Sequence, residues 1–413
     1  MRRVELAYGE GTIPLMVPEG TVVIEPIAPP ALADPEGHLR HLVRPLAETF
    51  RGARSVAVAF PDNTRPMPNP LVLGVVLDEL KAVGLGPEEV VLCCATGTHA
   101  TISSDAMAAL IGASIADRYD VHQHDAVASP HVVVGEVQGT PILLDQHWVE
   151  AERRLTTGFV EPHFFAGFSG GPKGVCPGLA GMETILEAHS PARIADPRST
   201  WLEIADNPVH RFVSEAVALC PPDASLDVRL DGEKRLAGAH LGTLPDSHRA
   251  ACEVVRQSAV VEVERPFDVV VTTNSGLPLD RNLYQAVKGM AAAARCTREG
   301  GDILMAASCI DGIPAGSAFH RFLEESGSVA ALSSGGASPA PDLWQAQVFG
   351  RVLERSQVHL FSEGLSSADT ELAHLGWVED LQVTFEELCA RHGPEARVAV
   401  LPQGPLSVAT VAS

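Results

Sequence analysis

Residues 161–181 read EPHFFAGFSGGPKGVCPGLAG, and this glycine-rich run carries one proton carrier, His163, and one amine, Lys173. Glycines let backbone N–H groups approach an anion, which a lysine can then neutralise. The run is not a P-loop, because Pro172 removes an N–H directly before the lysine and Gly174 stands where a Mg²⁺-binding Ser or Thr is required. A solvated lysine on an ordinary glycine-rich loop is the structural alternative. His189 follows in GMETILEAHS, near the C-terminal end of a predicted helix, where the helix dipole favours a cationic side chain or a metal.

Three further stretches carry usable chemistry. PDNTRPMP (residues 61–68) holds Arg65, a planar, permanently charged fork suited to a carboxylate, and Asp62, which could orient it or bond a sugar hydroxyl. Thr96-Gly97-Thr98-His99 places a histidine, with an ordinary pKa near ~6.5, where general acid–base work is within its range. In NLYQAVK (282–288), Tyr284, Gln285 and Lys288 share one face of a predicted helix. Taken singly, these read equally as a turn with a surface ion pair, a solvated loop histidine and an exposed helix face. His122 and His124, in VHQHD, share a strand face and have metal-ligand chemistry, but that stretch shows no nearby partners and is expected to be an edge strand. His131, His147 and His320 have no motif context.

The elements that must position these residues follow a β-α-β rhythm. SVAVAF (55–60), PLVLGVVLDELKAVG (70–84) and VVLCCAT (90–96) read as strand, helix and strand, with another helix after Ser103 and Ser104. That pattern lays a mostly parallel sheet under helices, with ligand-binding loops at the carboxyl ends of its strands. Short strands are expected over 226–242 and a helix over 245–258. A second alternation opens at FDVVVTTNS (267–275), with helices near 282–298 and 343–356 and strands DILMAAS, VHLF and ARVAVLP. The expected fold is therefore α/β, with two α/β domains of mostly parallel or mixed sheets. An N-terminal domain over 1–265 carries the glycine-rich motifs, a C-terminal domain over 266–413 closes the site, and the active site lies in the interdomain cleft. SSGGASPAPD (333–342) reads as a loop within the second domain.

At 413 residues and 46% hydrophobic content, the chain can bury substantial cores. A formal charge of −22 argues against nucleic acid and anionic membrane surfaces as partners, since both recruit clustered Lys and Arg. No apolar leader or membrane-length run is present, so a soluble, cytoplasmic protein is expected. The eight cysteines show no CxxC and no even framework, and read as reduced, buried thiols.

Taken together, DNTRP, TGTH, the long glycine-rich run, EAHS and LYQAVKG resemble, in matching order, the nickel-dependent lactate racemase family of 2-hydroxy acid racemases and epimerases. The resemblance runs from Asp62 to at least Trp344. It implies a nickel-pincer nucleotide covalently linked to Lys173, with nickel bound by His189 and imidazole suiting that metal. It implies His99 and His163 as the two acid–base residues, and Arg65 and Lys288 as cations facing a small anionic 2-hydroxy acid. Asp62, Thr98, Gly170 and Gly171 are expected to contact the cofactor, and Tyr284, Gln285 and Trp344 the substrate. The implied reaction moves a hydride and a proton reversibly through a planar 2-keto acid, with one histidine serving each face. Arg281, just before the helix of Lys288, is a candidate second anion handle that would favour malate over lactate, against the alternative of a surface arginine. Maturation enzymes are expected as transient partners, and the chain leaves room for a homo-oligomer. Competing readings are an NAD-type dehydrogenase, which lacks a GxGxxG after an early strand, and a nickel or nucleotide carrier, which would need neither acid–base histidine.

Overall fold

The computed structural model describes residues 1–27, 29–336 and 339–412. It is α/β, and its contacts divide it into two units. One comprises Ala28–His189 and Arg198–Ser258, the other Met1–Ile27, Ser190–Pro197 and Ala259–Ser413. The break between Ser258 and Ala259 lies a few residues before the expected cut at 265, but the two short earlier pieces belong with the later unit. Backbone pairing explains the first of them, because Val22–Val23 adds a parallel edge to the strand Val398–Leu401.

The first unit is built on a six-stranded sheet in the order Leu236–Gly242, Ala224–Leu230, Arg153–Phe159, Val56–Pro61, Val90–Ala95, Asp120–Gln123. All pairings are parallel except that of the first two strands. Val56–Pro61 is almost wholly buried, as expected of a strand covered on both faces. The helix Asn69–Ala82 lays Val72, Leu73, Val76, Leu77 and Leu80 into the same core as Val56, Val58 and Phe60. Asp120–Gln123 is the edge strand that VHQHD suggested.

One central strand does not look like one in sequence. Arg153–Phe159 reads RRLTTGF and opens with two exposed or half-exposed arginines, yet its last five residues are buried. Threonines occupy the places valines would take: the Thr157 hydroxyl donates to the carbonyl of Ala59 at 3.0 Å, and the Thr156 hydroxyl faces the glycine-rich run. A side chain at Gly174 would put its Cβ 2.5 Å from that Thr156 oxygen, so only glycine lets the run settle onto the strand.

The second unit carries a fully parallel six-stranded sheet in the order Gly376–Val378, Ser356–Phe361, Thr297–Ala306, Phe267–Thr273, Val398–Leu401, Val22–Val23. The antiparallel ribbon of Arg2–Tyr8 and Gly11–Val17 packs Leu6, Leu15 and Val17 against this sheet with Phe385 and Leu388. In the linker-like tract, Ala337 and Ser338 lie outside the described residues, while Val329–Ser334 before them is helical. The eight cysteines are free thiols, seven of them buried. Among the described residues no helix is long and apolar enough to cross a membrane.

Candidate active site

Four neighbouring parallel strands of the first unit end in the loops that carry the chemistry. Arg153–Phe159 leads into His163 and Lys173, Val56–Pro61 into Asp62 and Arg65, Val90–Ala95 into His99, and Asp120–Gln123 into His124. This is where an open parallel sheet gathers a ligand. The second and third loops meet directly, because His99 Nδ1 lies 2.7 Å from Asp62 Oδ2. A carboxylate only accepts, so the ring proton is on Nδ1 and Nε2 carries the lone pair. Asp62 is buried while the His99 side chain is 40% exposed, so this imidazole is anchored at one nitrogen and open to reactants at the other end.

Asp62 spends its other oxygen on Thr64, accepting from the backbone N–H at 3.1 Å and the hydroxyl at 2.6 Å. Burial pushes the Asp62 carboxyl up, but the hydrogen bond and charge of His99, then Thr64 and Arg65, pull the other way and prevail, leaving it below the ordinary value. Asp62, expected to contact the cofactor, turns its two oxygens to His99 and Thr64 within the chain. Arg65 Nη1 rests 3.4 Å from both the carbonyl and the hydroxyl oxygen of Thr64, so one turn sets the guanidinium beside the carboxylate–imidazole pair.

The glycine-rich run folds back on itself, which is the condition that sequence spacing left open. Pro162–His163 pairs with Gly167–Phe168 as a tight ribbon, and Lys173 sits in the 3₁₀ turn Gly171–Gly174. The Phe165 ring is their meeting point: His163 packs edge-on at 4.5 Å, His189 edge-on at 5.4 Å, and the Lys173 ammonium lies 5.4 Å from its centroid. His163 Nδ1 accepts from the backbone N–H groups of Ala166 at 3.3 Å and Phe165 at 3.5 Å, so its proton belongs on Nε2. The two acid–base candidates thus rest in opposite tautomers.

His189 caps the helix Met182–Ala188 and donates from Nδ1 to its own helix, at the Ile185 carbonyl, 2.8 Å away. Burial, then the charge of Lys173, push its pKa down to about 3, against the smaller opposing pull of Ile185. A helix C-terminus favours positive charge, but here desolvation wins and the ring is neutral. A neutral imidazole with Nδ1 tied to a carbonyl is the form in which a histidine binds a metal through Nε2. The run is joined to the His99 loop by the Gly97 N–H, which donates to Gly178 O at 3.0 Å. Thr98 lies half-buried in that loop.

Gly170 and Gly171, expected to contact the cofactor, stand at the start of the lysine turn. Both adopt positive φ, and the Gly171 N–H donates to Asp227 Oδ1 at 2.8 Å. Added Cβ atoms would fall 2.7 Å from Asp227 Oδ1 at Gly170 and 2.3 Å from the His248 ring at Gly171. The glycines therefore allow close packing behind the lysine turn. Asp227 and His248, whose Nε2 lies 2.8 Å from the Ser169 carbonyl oxygen, escaped the sequence reading. The signal was a single acid inside the strand LDVRL. His210 was also missed; burial, the neighbouring His248 and the Lys173 charge push it down to about 3.

In the second unit the helix Leu283–Ala294 presents Tyr284, Gln285 and Lys288 half-buried, with Lys288 Nζ donating to Gln285 Oε1 at 2.8 Å. Asn282 caps it, accepting from Gln285 N at 3.0 Å. Trp344 is buried on Leu343–Arg355, next to Gln345, which bonds the Tyr284 carbonyl. Arg281 does not look like an anion handle: it is exposed and paired with Asp311 through both side chain and backbone.

Strand-end loops bearing an anchored base, a second imidazole and an amine beside a neutral, ligand-competent histidine describe an acid–base enzyme. Family profiles of the lactate racemase N-terminal and C-terminal domains match residues 8–201 and 262–410. The chain is 30% identical to the lactate racemase of Lactiplantibacillus plantarum, covering 87% of this chain and 86% of that one. It is also 30% identical to that of Thermoanaerobacterium thermosaccharolyticum, covering 98% of each. The solved lactate racemase apoprotein from the latter organism superposes with a TM-score of 0.92 at 26% identity, over 99% of this chain and 100% of that one. A Thermotoga maritima protein shares the fold alone, at TM-score 0.71 and 19% identity, over 92% and 99% of the two chains. The chain belongs to the lactate racemase family, and its enzyme class is isomerase. The dehydrogenase and carrier readings give way to that membership.

Proposed function

We propose that this chain racemises a small monocarboxylic 2-hydroxy acid of the lactate type, using a nickel-pincer nucleotide attached to Lys173. The observation that carries the reading is the convergence of His163, Lys173 and His189 on one phenylalanine ring. The residues fit the group: His189 is buried, neutral and oriented by a backbone carbonyl, and the tethering amine lies on the same ring. His189 would hold the nickel through Nε2, Lys173 would form the covalent link, and Thr98 would lie along the nucleotide. When bound, the group supplies a reversible hydride acceptor, which makes a planar 2-keto acid the point of symmetry of the reaction.

The chain's own residues supply the rest. Arg65 holds the carboxylate with a planar fork, so the substrate keeps its place while its α-carbon changes configuration. His99 takes the hydroxyl proton at Nε2, and the buried Asp62 carboxylate behind it keeps the ring in the receiving tautomer. His163, held by the backbone N–H groups of Phe165 and Ala166 and packed against the rings of Phe164 and Phe165, exchanges the proton for the opposite enantiomer. Each histidine contributes roughly 10²–10⁴-fold. Tyr284, Gln285, Lys288 and Trp344 are assigned substrate contacts on the resemblance. Because Asp311 already engages Arg281, no second anion handle is assigned, and the reading is lactate rather than a dicarboxylate such as malate.

Co-expression with enzymes that build the group, followed by intact-mass measurement and chiral chromatography of L-lactate, tests the reading. Wild type gains the adduct mass and racemises lactate; Lys173→Ala loses both, and His99→Gln keeps the adduct but loses the rate. Adduct-bearing wild type that leaves lactate and related 2-hydroxy acids optically unchanged overturns it.

A further inference from the structure

Away from Lys173, the same unit gathers histidines around one buried carboxylate, Asp145, at the end of the strand Thr140–Asp145. His122 Nε2 lies 2.7 Å and His124 Nδ1 3.0 Å from its Oδ2. Its Oδ1 accepts from the His147 N–H at 2.9 Å and lies 3.2 Å from His147 Nδ1. The sequence suggested no partner for VHQHD, because Asp145 sits more than twenty residues on, in a hairpin that the apolar pattern did not reveal.

The protons in this cluster do not add up without a cation. The far nitrogen of His124, Nε2, is 3.0 Å from the Ala180 carbonyl oxygen, which only accepts, so the proton is there. Without a positive charge between them, His124 Nδ1 would turn a lone pair toward a carboxylate oxygen 3.0 Å away, in a place where both side chains have 0% exposure. Leaving these lone pairs facing each other in a dry site is costly. Either a second proton or a metal ion must lie between them. Three features favour the metal. The candidate ligand atoms of His122, His124 and Asp145 all lie within 4.8 Å of one another. The outer nitrogen of His124 and the outer oxygen of Asp145 each have the hydrogen bond that orients a metal ligand. The His122 side chain is 17% exposed, which gives an ion an entry side and room for a water as fourth ligand.

We infer that His122, His124 and Asp145 form a binding site for a borderline divalent transition metal, of which Zn²⁺ is the representative, separate from the Lys173 site. Two imidazoles and a carboxylate are a donor set of that class. The ion would be structural. Asp145 N–H donates to Leu179 O at 2.8 Å, Leu144 bridges Ala180, and the Thr96 hydroxyl bonds the His124 carbonyl. A metal here would therefore clamp the end of the glycine-rich run and the base of the His99 loop to one strand edge. The inference does not depend on the racemase reading.

The test uses tag-free full chain made without maturation enzymes and carrying His189→Ala, so that the Lys173 site lacks the imidazole assigned to nickel. After chelator dialysis, Zn²⁺ is titrated against a chromophoric competitor. One equivalent is expected to bind tightly and to raise the melting temperature. His122→Asn should weaken binding by more than the ~10–100-fold that outer-shell changes cost. Should His122→Asn fail to fold, X-ray absorption of the zinc-loaded parent reports the same ligands, two imidazole nitrogens with oxygen. No competitive binding by the parent, binding indifferent to His122, or a zinc spectrum without two imidazoles would overturn the site and leave an imidazolium–carboxylate pair.

Discussion

The first unit uses a carboxylate–imidazole pair twice, and the two uses diverge by what surrounds them. Asp62 with His99 and Asp145 with His122 both close at 2.7 Å, and both stand at the ends of strands. Asp62 serves one ring, whose side chain is 40% exposed, so the anchored histidine can still meet a reactant. Asp145 faces three rings, one of them fully buried, and His122 and His147 stack at 4.0 Å. The lesson concerns access. One pair keeps a nitrogen for chemistry, while the other turns its ring atoms inward and holds backbone together.

That contrast predicts opposite failures. His99→Gln should cost roughly 10²–10⁴-fold in racemisation rate with the smaller loss of stability, since the glutamine amide can still donate to the buried Asp62 carboxylate. Asp145→Asn should instead cost about 2–3 kcal/mol of stability, because buried hydrogen bonds of a charged group are broken. Urea unfolding beside turnover per folded molecule separates them. If His99→Gln unfolds early and Asp145→Asn does not, the roles assigned to the two pairs are reversed.

Much of this arrangement was readable before the structure, for reasons that differ by residue. Val56–Pro61, Val90–Ala95 and Phe267–Thr273 are dense apolar runs, so periodicity alone marks them. The predicted face of Tyr284, Gln285 and Lys288 is seen in the Lys288–Gln285 bond, because helix geometry fixes such neighbours. Arg153–Phe159 was hidden because threonines and arginines break its pattern, although it lies in the middle of a sheet. The partner of His99 was hidden for another reason: Asp62 and His99 are 37 residues apart, and only strand order brings their loops together. His189 showed its place at a helix end but not its burial, and burial decides its charge.

Acid sharpens the comparison on the Asp62 side. Its pKa in the folded protein is depressed, so the stability it contributes is present above the ordinary aspartate value, near ~3.9, and is lost as pH falls through the lower folded value. Wild type and Asp62→Asn should therefore differ in urea stability at neutral pH and converge in acid. A gap that widens on acidification would mean that burial, not His99, governs this carboxyl.

The smallest effect is expected at Arg281, whose pair with Asp311 has the opposite surroundings from both clusters. Its side chain is 54% exposed and that of Asp311 48%, so water screens the attraction. Such pairs are worth about 0–1 kcal/mol, and Arg281→Ala should fall within that range. The same variant should leave the ratio of lactate to malate turnover unchanged, because its guanidinium is engaged by a carboxylate of the chain itself. A selective loss of malate turnover would show that the substrate displaces Asp311, making this surface pair a specificity element after all. Exposure would then be no guide to which charge pairs in this fold do chemistry.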